Sequence, residues 1–285
     1  MKTVALATCD KFPDLTADDQ LLIEQLNCRG VKANPVVWNT YKLWHCFDAV
    51  IIRSCWDYQF KPGEFLDWVR RIETCGVPIW NPARIIEWNI DKAYLKNLEE
   101  FGAKIIPTVW LDRSSSANLS AILEAQDWEE AVLKPSISAS AFQTQVVSRE
   151  TFVTKQASLE EMLVSSGALI QKFIPEIRTN GEWSFIFFAG RFSHAVLKQP
   201  KEGDFRVQQR FGGYLNRTPP SACLIRQAQR IVALVGQPIL FARVDGIEIE
   251  GELHLMELEL IEPSLFLGEE PSSAQRFANA IISLL

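Results

Sequence analysis

Strand and helix patterns alternate from residue 1 to about residue 85. The apolar runs "TVALATC", "KANPVVW", "FDAVIIRSCW" and "VPIWNP" predict strands. Between them, "TADDQLLIEQLNCRG" predicts a helix that ends at Gly30, and "KPGEFLDWVRRIETCG" predicts a helix that ends at Gly76. This order is typical of βαβ units, so we predict a small parallel α/β layer at the N-terminus.

Antiparallel strands dominate the predicted elements of the C-terminal half. Before them, "NIDKAYLKNLEEFG" predicts a helix closed by Gly102, and "AKIIPTVWL" and "EEAVLKP" predict strands. The small-residue stretch "SISASAFQTQVVS" returns to strand character near its end. From "GALIQKFIP" onward, the runs "EWSFIFFAG", "RFSHAVLKQP", "ILFARVDGIEIE" and "ELHLMELELIE" predict antiparallel strands. The expected fold class is therefore α/β, with α+β character in its second half.

Two acids continue a row of leucines in "HLMELELIEPSLF". Because successive side chains of a strand point to opposite faces, we expect Leu255, Glu257 and Glu259 to share one face. An uncompensated carboxylate on such a face costs several kcal/mol, so the pattern indicates a function. With Asp245 on a neighbouring strand, the two glutamates offer the oxygen ligands that Mg²⁺ shares with substrate phosphates. The alternative is an edge strand whose acids face water.

Two lysines occupy positions suited to an anion. Lys134 closes a predicted strand and precedes a proline and a loop of small residues, and Lys92 lies near the start of a predicted helix. A lysine in such a loop is a typical phosphate contact, because its charge and nearby backbone N–H groups can meet the same anion. The alternative is that both are solvated surface lysines.

A third group of charges is basic. Lys198, Arg206 and Arg243 surround the pattern "LKQPKEGDFRVQQRFGGYLNR", in which Gly212 and Gly213 would let the backbone approach an anion closely. Solvated loop charges are the alternative. Together with the lysines and the acids, this group favours a nucleotide site with an anionic intermediate beside it.

Composition limits the classes of partner that we expect the protein to bind. The chain has 285 residues, of which 47% are hydrophobic, and its net charge of -6 without a basic block argues against nucleic acid. Six cysteines without a CxxC pair are interpreted as reduced thiols. No apolar run approaches the roughly 20 residues of a membrane span, and the N-terminus lacks a signal-peptide pattern, so we expect a cytoplasmic protein without a membrane partner.

The ordered motifs resemble a known superfamily. The sequence contains no GxxxxGK[ST], no GxGxxG after a strand, and no HRD or DFG motif. The series "NIDKAYL", "AVLKP", "IQKFIPEIRTNGEWSFIFF", "ARVDG" and "MELELIEPSLF" resembles the ATP-grasp superfamily, in the branch that looks like glutathione synthetase and the cycloserine-forming ligase. The resemblance covers essentially the whole chain. It implies an N-terminal pre-ATP-grasp α/β domain at 1–88, a central ATP-grasp subdomain at 89–168, and a C-terminal subdomain with the metal site at 169–285.

The resemblance also implies roles for individual residues, with ATP and Mg²⁺ as cofactors and Mn²⁺ as an alternative metal. The residues matched to ATP-binding positions are Lys92, Lys134, Ser138, Gln171, Lys172, Phe173, Ile174 and Glu182. The resemblance implies that Lys92 and Lys134 contact the phosphates and that residues 171–174 form the hinge that contacts adenine. It also implies that Glu182 holds the ribose hydroxyls. The matched metal ligands are Asp245, Glu257 and Glu259, and the matched catalytic residues are Arg243 and Lys198. Arg206 of the basic loop is a further catalytic candidate.

Two positions depart from the family pattern. The loop after the second lysine is usually rich in glycine, whereas here Ser136, Ser138 and Ser140 offer hydroxyls in place of some backbone contacts. The last metal position is commonly asparagine, and Glu259 adds negative charge that should strengthen magnesium binding. Glu262 is an alternative metal ligand.

The acceptor site is expected in the N-terminal layer. Arg53, Trp56, Asp57 and Tyr58 follow a predicted strand, and open α/β sheets tend to bind ligands at the carboxyl ends of their strands. Arg53 would pair with a substrate carboxylate, and Gly212 and Gly213 would complete the substrate site. The alternative is that the aromatic residues pack in the core and that Arg53 and Asp57 form a local ion pair.

Three functions remain open from the sequence. The first is an ATP-dependent ligase that activates a small, amino-acid-like carboxylate as an acyl phosphate for attack by an amine or another nucleophile. The second is an intramolecular cyclase that acts on a ureido-amino-acid type of substrate. The third is a nucleotide-binding regulatory protein without ligase activity. A small-molecule substrate is expected in the first two cases, and a homodimer is one option for the oligomeric state.

Overall fold

The N-terminal layer is a four-stranded parallel sheet with helices. The computed structural model describes residues 1–139, 141–207, 211–216 and 218–285. The elements of this layer are β1 (Lys2–Thr8), α1 (Ala17–Asn27), β2 (Val31–Val37), β3 (Ala49–Ser54), α2 (Pro62–Thr74) and β4 (Ile79–Trp80). The strand order is β2-β1-β3-β4, and all neighbours are parallel. The predicted parallel α/β layer is confirmed.

Local sequence signals explain where α1 begins and ends. The hydroxyl of Thr16 accepts a hydrogen bond from the backbone N–H of Asp19 at 3.1 Å, which satisfies one free donor of the first turn. Gly30 adopts φ of 77°, a left-handed conformation that glycine takes at low cost when a helix ends. The helix therefore ends where the sequence predicts it.

A second, antiparallel sheet forms the middle of the chain. Its elements are α3 (Ala83–Asn89), α4 (Tyr94–Glu100), β5 (Thr108–Leu111), α5 (Leu119–Ala125), β6 (Glu130–Pro135), β7 (Gln145–Ser148), α6 (Phe152–Ser165) and β8 (Ala168–Lys172). The strand order is β5-β8-β6-β7. Because α4 begins at Tyr94, Lys92 lies in the connection before the helix and not within its first turn.

A third, five-stranded antiparallel sheet carries most of the predicted acids. Its elements are α7 (Ile177–Asn180), β9 (Glu182–Phe188), β10 (Arg191–Gln199), β11 (Tyr214–Asn216), α8 (Ala222–Leu234), β12 (Phe241–Ile249), β13 (Glu252–Glu259) and α9 (Ser273–Ile282). The strand order is β11-β10-β9-β12-β13. The predicted antiparallel arrangement is confirmed.

A β-bulge reverses the side-chain alternation of β13 at the acids. Asp245 pairs with Glu257 whereas Gly246 pairs with Leu255, so Met256 is the extra residue of the bulge. The leucines of one core cluster on this strand and just beyond it are Leu253, Leu255, Leu258 and Leu260. The expectation that the two acids share the leucine face is therefore wrong, because the bulge places the acids on the opposite face.

The N-terminal layer and the third sheet share a hydrophobic core. Leu22 of α1 and Phe277 of α9 are fully buried in one cluster with Phe241 of β12. The buried side chain of Asn81 links the same parts, because it donates to the carbonyls of Phe241 and Leu260 at 2.9 Å and 2.6 Å. These contacts fix the N-terminal layer against the strands that carry the acids.

The three-part division of the chain stays a proposal. Sheet membership supports it with one change. Strand β8 pairs with β5 and β6, so we place the second boundary after Lys172 rather than at residue 168. In the described ranges, no helix is both long and apolar enough to cross a membrane.

Candidate active site

A cavity of about 410 Å³ lies where the three sheets meet. Its lining includes Trp56 from the N-terminal layer, Lys134 from the second sheet and Glu257 from the third. The volume is in the usual range for small-molecule sites. Most of the residues predicted to bind ATP or metal line it, so the fold brings together groups that are far apart in the sequence.

The two predicted phosphate lysines converge on one acid. Lys134 Nζ lies 3.3 Å and Lys92 Nζ 3.8 Å from the same oxygen of Glu257. Lys92 also donates to the Ser138 carbonyl at 2.8 Å. Burial and the positive charge of Lys92 lower the pKa of Lys134, although Glu257 opposes them. The interpretation of both lysines as solvated surface residues is wrong, since each is less than 10% exposed.

The second charge cluster surrounds Asp245. Arg243 donates to Asp245 at 2.8 Å and to Glu259, and Lys198 Nζ lies 3.5 Å from Asp245. The hydroxyl of Ser184 also donates to Asp245. Burial would raise the pKa of Asp245, but the charges of Arg243 and Lys198 prevail and lower it to about 2. Asp245 is therefore ionised and fully engaged by its neighbours.

Two of the three predicted metal ligands fit a magnesium ion in this structure. Glu257 and Glu259 lie two residues apart after the bulge and both line the cavity. Across the described parts of the chain, no three His, Cys, Asp or Glu side chains form a metal-binding group. Magnesium commonly uses one or two carboxylates together with substrate phosphates, so two acids beside two phosphate lysines suit its chemistry. The role of Asp245 as a ligand stays a prediction.

The predicted adenine hinge, residues 171–174, lines the same cavity. The backbone N–H groups of Lys172 and Phe173 donate to Pro107 and Glu130 at 2.8 Å and 3.1 Å. The N–H of Ile174 has no acceptor among the described residues, so it is available to a purine. The apolar residues of the same region are Ile106, Val132, Phe205 and Met256. This combination of a free backbone donor and apolar walls fits a base.

Glu182 has a partner that the sequence did not predict. Its buried carboxylate accepts a hydrogen bond from Lys198. Burial raises the pKa of Glu182, and the charge of Lys198 opposes that shift. Both residues line the cavity, so the ribose role of Glu182 and the catalytic role of Lys198 remain compatible with their positions.

The N-terminal candidates divide into two groups. Trp56 and Tyr58 line the cavity. Asp57 does not line it and accepts a hydrogen bond from Trp38 at 2.8 Å. Arg53 is 2% exposed and forms an ion pair with Asp19 at 2.8 Å, so it is not placed to bind a substrate carboxylate. The alternative of a local pair between Arg53 and Asp57 is also wrong.

Among its described residues, the basic loop after Lys198 contributes Phe205, Arg206, Val207 and Leu215 to the cavity. Arg206 lines it and pairs with Asp204 at 2.8 Å. Gly212 and Gly213 do not line it. A Cβ at Gly213 would clash with the Val207 carbonyl, so this glycine serves packing of the loop on itself rather than approach to an anion. Ser140, also named from the sequence, lies outside the described residues.

Several lining residues have no clear sequence signal. Tyr94 accepts a hydrogen bond from the Leu258 backbone at 2.8 Å, and Asn89 donates to the Leu258 carbonyl at 2.8 Å. Ser264 and Phe266 belong to the irregular segment after β13. In the sequence, Glu262 within "IEPSLF" is the feature that points to this segment.

Comparison with known proteins agrees with this geometry. Residues 4–81 match the family model of the D-cycloserine synthetase N-terminal domain. The cycloserine biosynthesis protein of Streptomyces lavendulae is 28% identical over 302 aligned positions, which cover 100% of this chain and 99% of that protein. The crystal structure of D-cycloserine synthetase superposes with a TM-score of 0.87 at 25% identity, covering 99% of both chains. The chain is thus similar over its whole length to D-cycloserine synthetase.

More distant ATP-grasp structures share the fold. The D-alanine–D-alanine ligase of Bacillus anthracis in complex with ATP gives a TM-score of 0.71 at 14% identity, covering 99% of this chain and 97% of that one. The ATP-grasp ligase PsnB with precursor, Mg and ADP gives 0.65 at 17% identity, covering 99% and 96%. The fold class and the enzyme class expected from the sequence are confirmed.

Proposed function

We propose that this ATP-grasp ligase activates the carboxylate-type group of a small, amino-acid-like acceptor as an acyl phosphate. An amine or another nucleophile then attacks the activated carbon and phosphate leaves. The observation that carries the proposal is the single cavity that joins two buried lysines, two partly exposed glutamates and an aromatic wall from the N-terminal layer. Phosphate charge and a small acceptor can thus be held side by side.

The proposed roles on the phosphate side follow from charge. Lys92 and Lys134 hold ATP phosphates, and Glu257 and Glu259 hold Mg²⁺ or Mn²⁺. When bound, the metal would neutralise part of the negative charge of the phosphates. We propose that Arg243 and Lys198 stabilise the phosphoryl group in transfer, because both are cations fixed by buried acids. Arg206 is the third proposed catalytic cation.

Ring closure within one acceptor is a second candidate. The likeness to D-cycloserine synthetase covers nearly the whole of both chains, which favours a ureido-substituted amino acid as the substrate of an intramolecular reaction. The mass of the product distinguishes ring closure from the joining of two molecules. Joining two molecules yields a product heavier than the acceptor, whereas ring closure yields a lighter one.

The test is ADP release with Mg²⁺ and ATP in the presence of acceptor pools. The pools contain amino acids, hydroxylated and ureido-substituted amino acids, and small dicarboxylates, and every positive sample goes to mass spectrometry. Acceptor-dependent ADP release with a new product mass supports the ligase. If ATP binds but no pool raises ADP release above the rate without acceptor, the proposal is wrong.

Three accompanying predictions concern the setting of the protein. We propose a cytoplasmic location and a small-molecule substrate, and the homodimer stays one option for the oligomeric state. Cell fractionation tests the location, and light scattering after gel filtration tests the oligomeric state.

A further inference from the structure

Glu262 differs from the other acids of the cavity in its surroundings. The other acids that line it are Glu182, Asp245, Glu257 and Glu259. Each of these four has a Lys or Arg nitrogen within 4.0 Å. Glu262 has none among the described residues, and none of their side chains hydrogen-bonds its carboxyl group. The residue is nevertheless buried, with an exposed fraction of 7%.

The backbone that carries Glu262 is held firmly. Four consecutive carbonyls, those of residues 262 to 265, each accept a hydrogen bond from a side chain of another element. The donors, in the order of the carbonyls, are Trp56 at 2.9 Å, Arg53 at 3.1 Å, Arg243 at 3.0 Å and His194 at 2.9 Å. They come from both the N-terminal layer and the third sheet. The backbone position from which the Glu262 side chain extends is therefore preorganised.

Two further polar groups of this region lack partners. Tyr58 and Ser264 line the cavity, and the hydroxyl of neither forms a hydrogen bond with a described residue. Burial, and after it the charge of Glu262, raises the pKa of Tyr58 well above its usual value, and both residues line the same cavity. The aromatic rings of Trp56 and Phe266 complete the wall. One acid and two hydroxyls thus face a pocket with apolar sides.

Such a pocket suits a small cationic group with several N–H donors. Ionising a buried carboxyl group that has no charged partner is costly, and a hydrogen-bonded cation stabilises its ionised form. Hydroxyls can accept the remaining donors of an ammonium group. Among the described Lys and Arg side chains that line the cavity, Lys172 is exposed and each of the others has an acid within 4.0 Å, so the compensating cation comes from a ligand.

We propose, on the basis of the ligase function above, that Glu262 binds the amino group of the acceptor. Tyr58 and Ser264 accept its other hydrogen bonds. The substrate class is therefore an amino acid or side-chain-substituted amino acid with a free amino group. Acceptors in which this nitrogen is acylated are excluded, because they lack the charge and the donors.

The test compares two acceptor pools in ADP release. One pool contains free amino acids and ureido-substituted amino acids, and the other contains the same compounds with acetylated amino groups. We expect the wild-type protein to respond to the free pool and not to the acetylated one. For the most active compound, Glu262→Gln should raise the KM by roughly 10- to 100-fold, since a charge-assisted hydrogen bond is lost. The KM for ATP and the Mg²⁺ dependence should stay unchanged.

Two control variants identify the cause. Glu262→Asp keeps the charge and should recover part of the affinity for the acceptor. Glu250→Gln changes an exposed glutamate at the far end of the β12–β13 hairpin and should behave as wild type. Circular dichroism and ATP binding confirm that each variant is folded.

The outcomes separate this inference from the proposed function. Equal use of the acetylated pool, or an unchanged acceptor KM in Glu262→Gln, overturns the role of Glu262 and leaves the ligase intact. A changed Mg²⁺ dependence with an unchanged acceptor KM assigns Glu262 to the metal instead. If ATP binds and no acceptor of any pool raises ADP release, the ligase proposal and this inference are both wrong.

Discussion

At the scale of single residues, the site is a set of opposite charges packed into a partly closed cavity. Glu257 is shared by Lys92 and Lys134, and Arg243 is shared by Asp245 and Glu259. Burial would raise the pKa of Glu257, but the two lysine charges prevail and lower it. Glu257 and Asp245 are thus kept charged at neutral pH by their basic neighbours, whereas burial raises the pKa of Glu259 to about 7.

The proposed metal role of Glu257 predicts a loss of metal-dependent nucleotide binding. In Glu257→Gln the charge that would hold Mg²⁺ is absent while the two lysines remain. We expect the gain in ADP affinity on addition of Mg²⁺ to fall by at least about 10-fold, and metal-dependent turnover by roughly 100-fold or more. Calorimetric titration with ADP, in the presence and in the absence of Mg²⁺, measures the change in ADP affinity and needs no acceptor. A wild-type gain in this variant would contradict the assignment.

Protonation of Glu262 predicts how stability depends on pH. Burial and the negative charge of Glu259 raise the pKa of Glu262 to about 8. The folded protein therefore keeps a proton that the unfolded chain loses near the usual glutamate value, so the free energy of unfolding falls as pH rises from about 5 to about 8. Glu262→Gln should reduce this decrease by at least about 1 kcal/mol. Urea denaturation of the ligand-free protein at several pH values measures it, and parallel curves for the two proteins would contradict the prediction.

At the scale of elements, the β12–β13 hairpin decides where the acids point. The bulge at Met256 reverses the alternation, so that leucines before and after it enter one core while the acids face the cavity. Gly246 lies opposite the bulge and has no room for a side chain. A Cβ there would come within 2.7 Å of the His254 carbonyl oxygen and 2.8 Å of Leu253 Cδ1.

The bulge predicts that Gly246→Ala harms both stability and nucleotide binding. The added methyl group forces the two strands apart, so we expect the free energy of unfolding to fall by about 2 kcal/mol and Mg²⁺-dependent ADP affinity to weaken. Gly63→Ala is the matched control, since a Cβ at this helical position meets nothing within 4 Å. It should leave stability unchanged or raise it by up to about 1 kcal/mol. Equal melting temperatures of the two variants would contradict this account.

At the scale of the whole molecule, a buried ion pair holds the N-terminal layer against the third sheet. Arg53 bonds Asp19 within the layer and the Pro263 carbonyl beyond it, and its guanidinium lies 5.5 Å from the ring centroids of Phe241 and Phe277. Asp19 also accepts from Ser54 at 2.7 Å. This arrangement has the character of a structural junction.

The junction predicts that Arg53→Met destabilises the protein without abolishing ATP binding. The change leaves Asp19 as a buried charge without its partner, so the free energy of unfolding should fall by about 3 to 5 kcal/mol. Adding Asp19→Asn removes the unpaired charge and should recover part of the loss. Chemical denaturation of both single variants and of the double variant measures the coupling. Independent, additive effects would show that the pair contributes nothing specific.

Residue type and order determined the fold class and the general chemistry of this protein. Alternating strand and helix patterns, glycines at helix ends and the ordered lysine, arginine and acid motifs are local signals, and local hydrogen bonding and side-chain periodicity make them readable. They led to the parallel layer, the antiparallel sheets and the ATP-grasp relationship. They also selected Lys92, Lys134 and Glu257, which the fold brings together.

Tertiary structure alone decided which charges pair and which side chains face the cavity. The bulge at Met256 has no sequence signal because it depends on the register between two strands. Arg53 looks like a substrate ligand in the sequence, yet its partner, Asp19, is 34 residues away and buried with it. Glu262 becomes distinctive only once the structure shows that the four other acids of the cavity have basic partners and that, among the described residues, Glu262 has none. Pairing and burial depend on contacts between distant segments, and a single sequence does not record them.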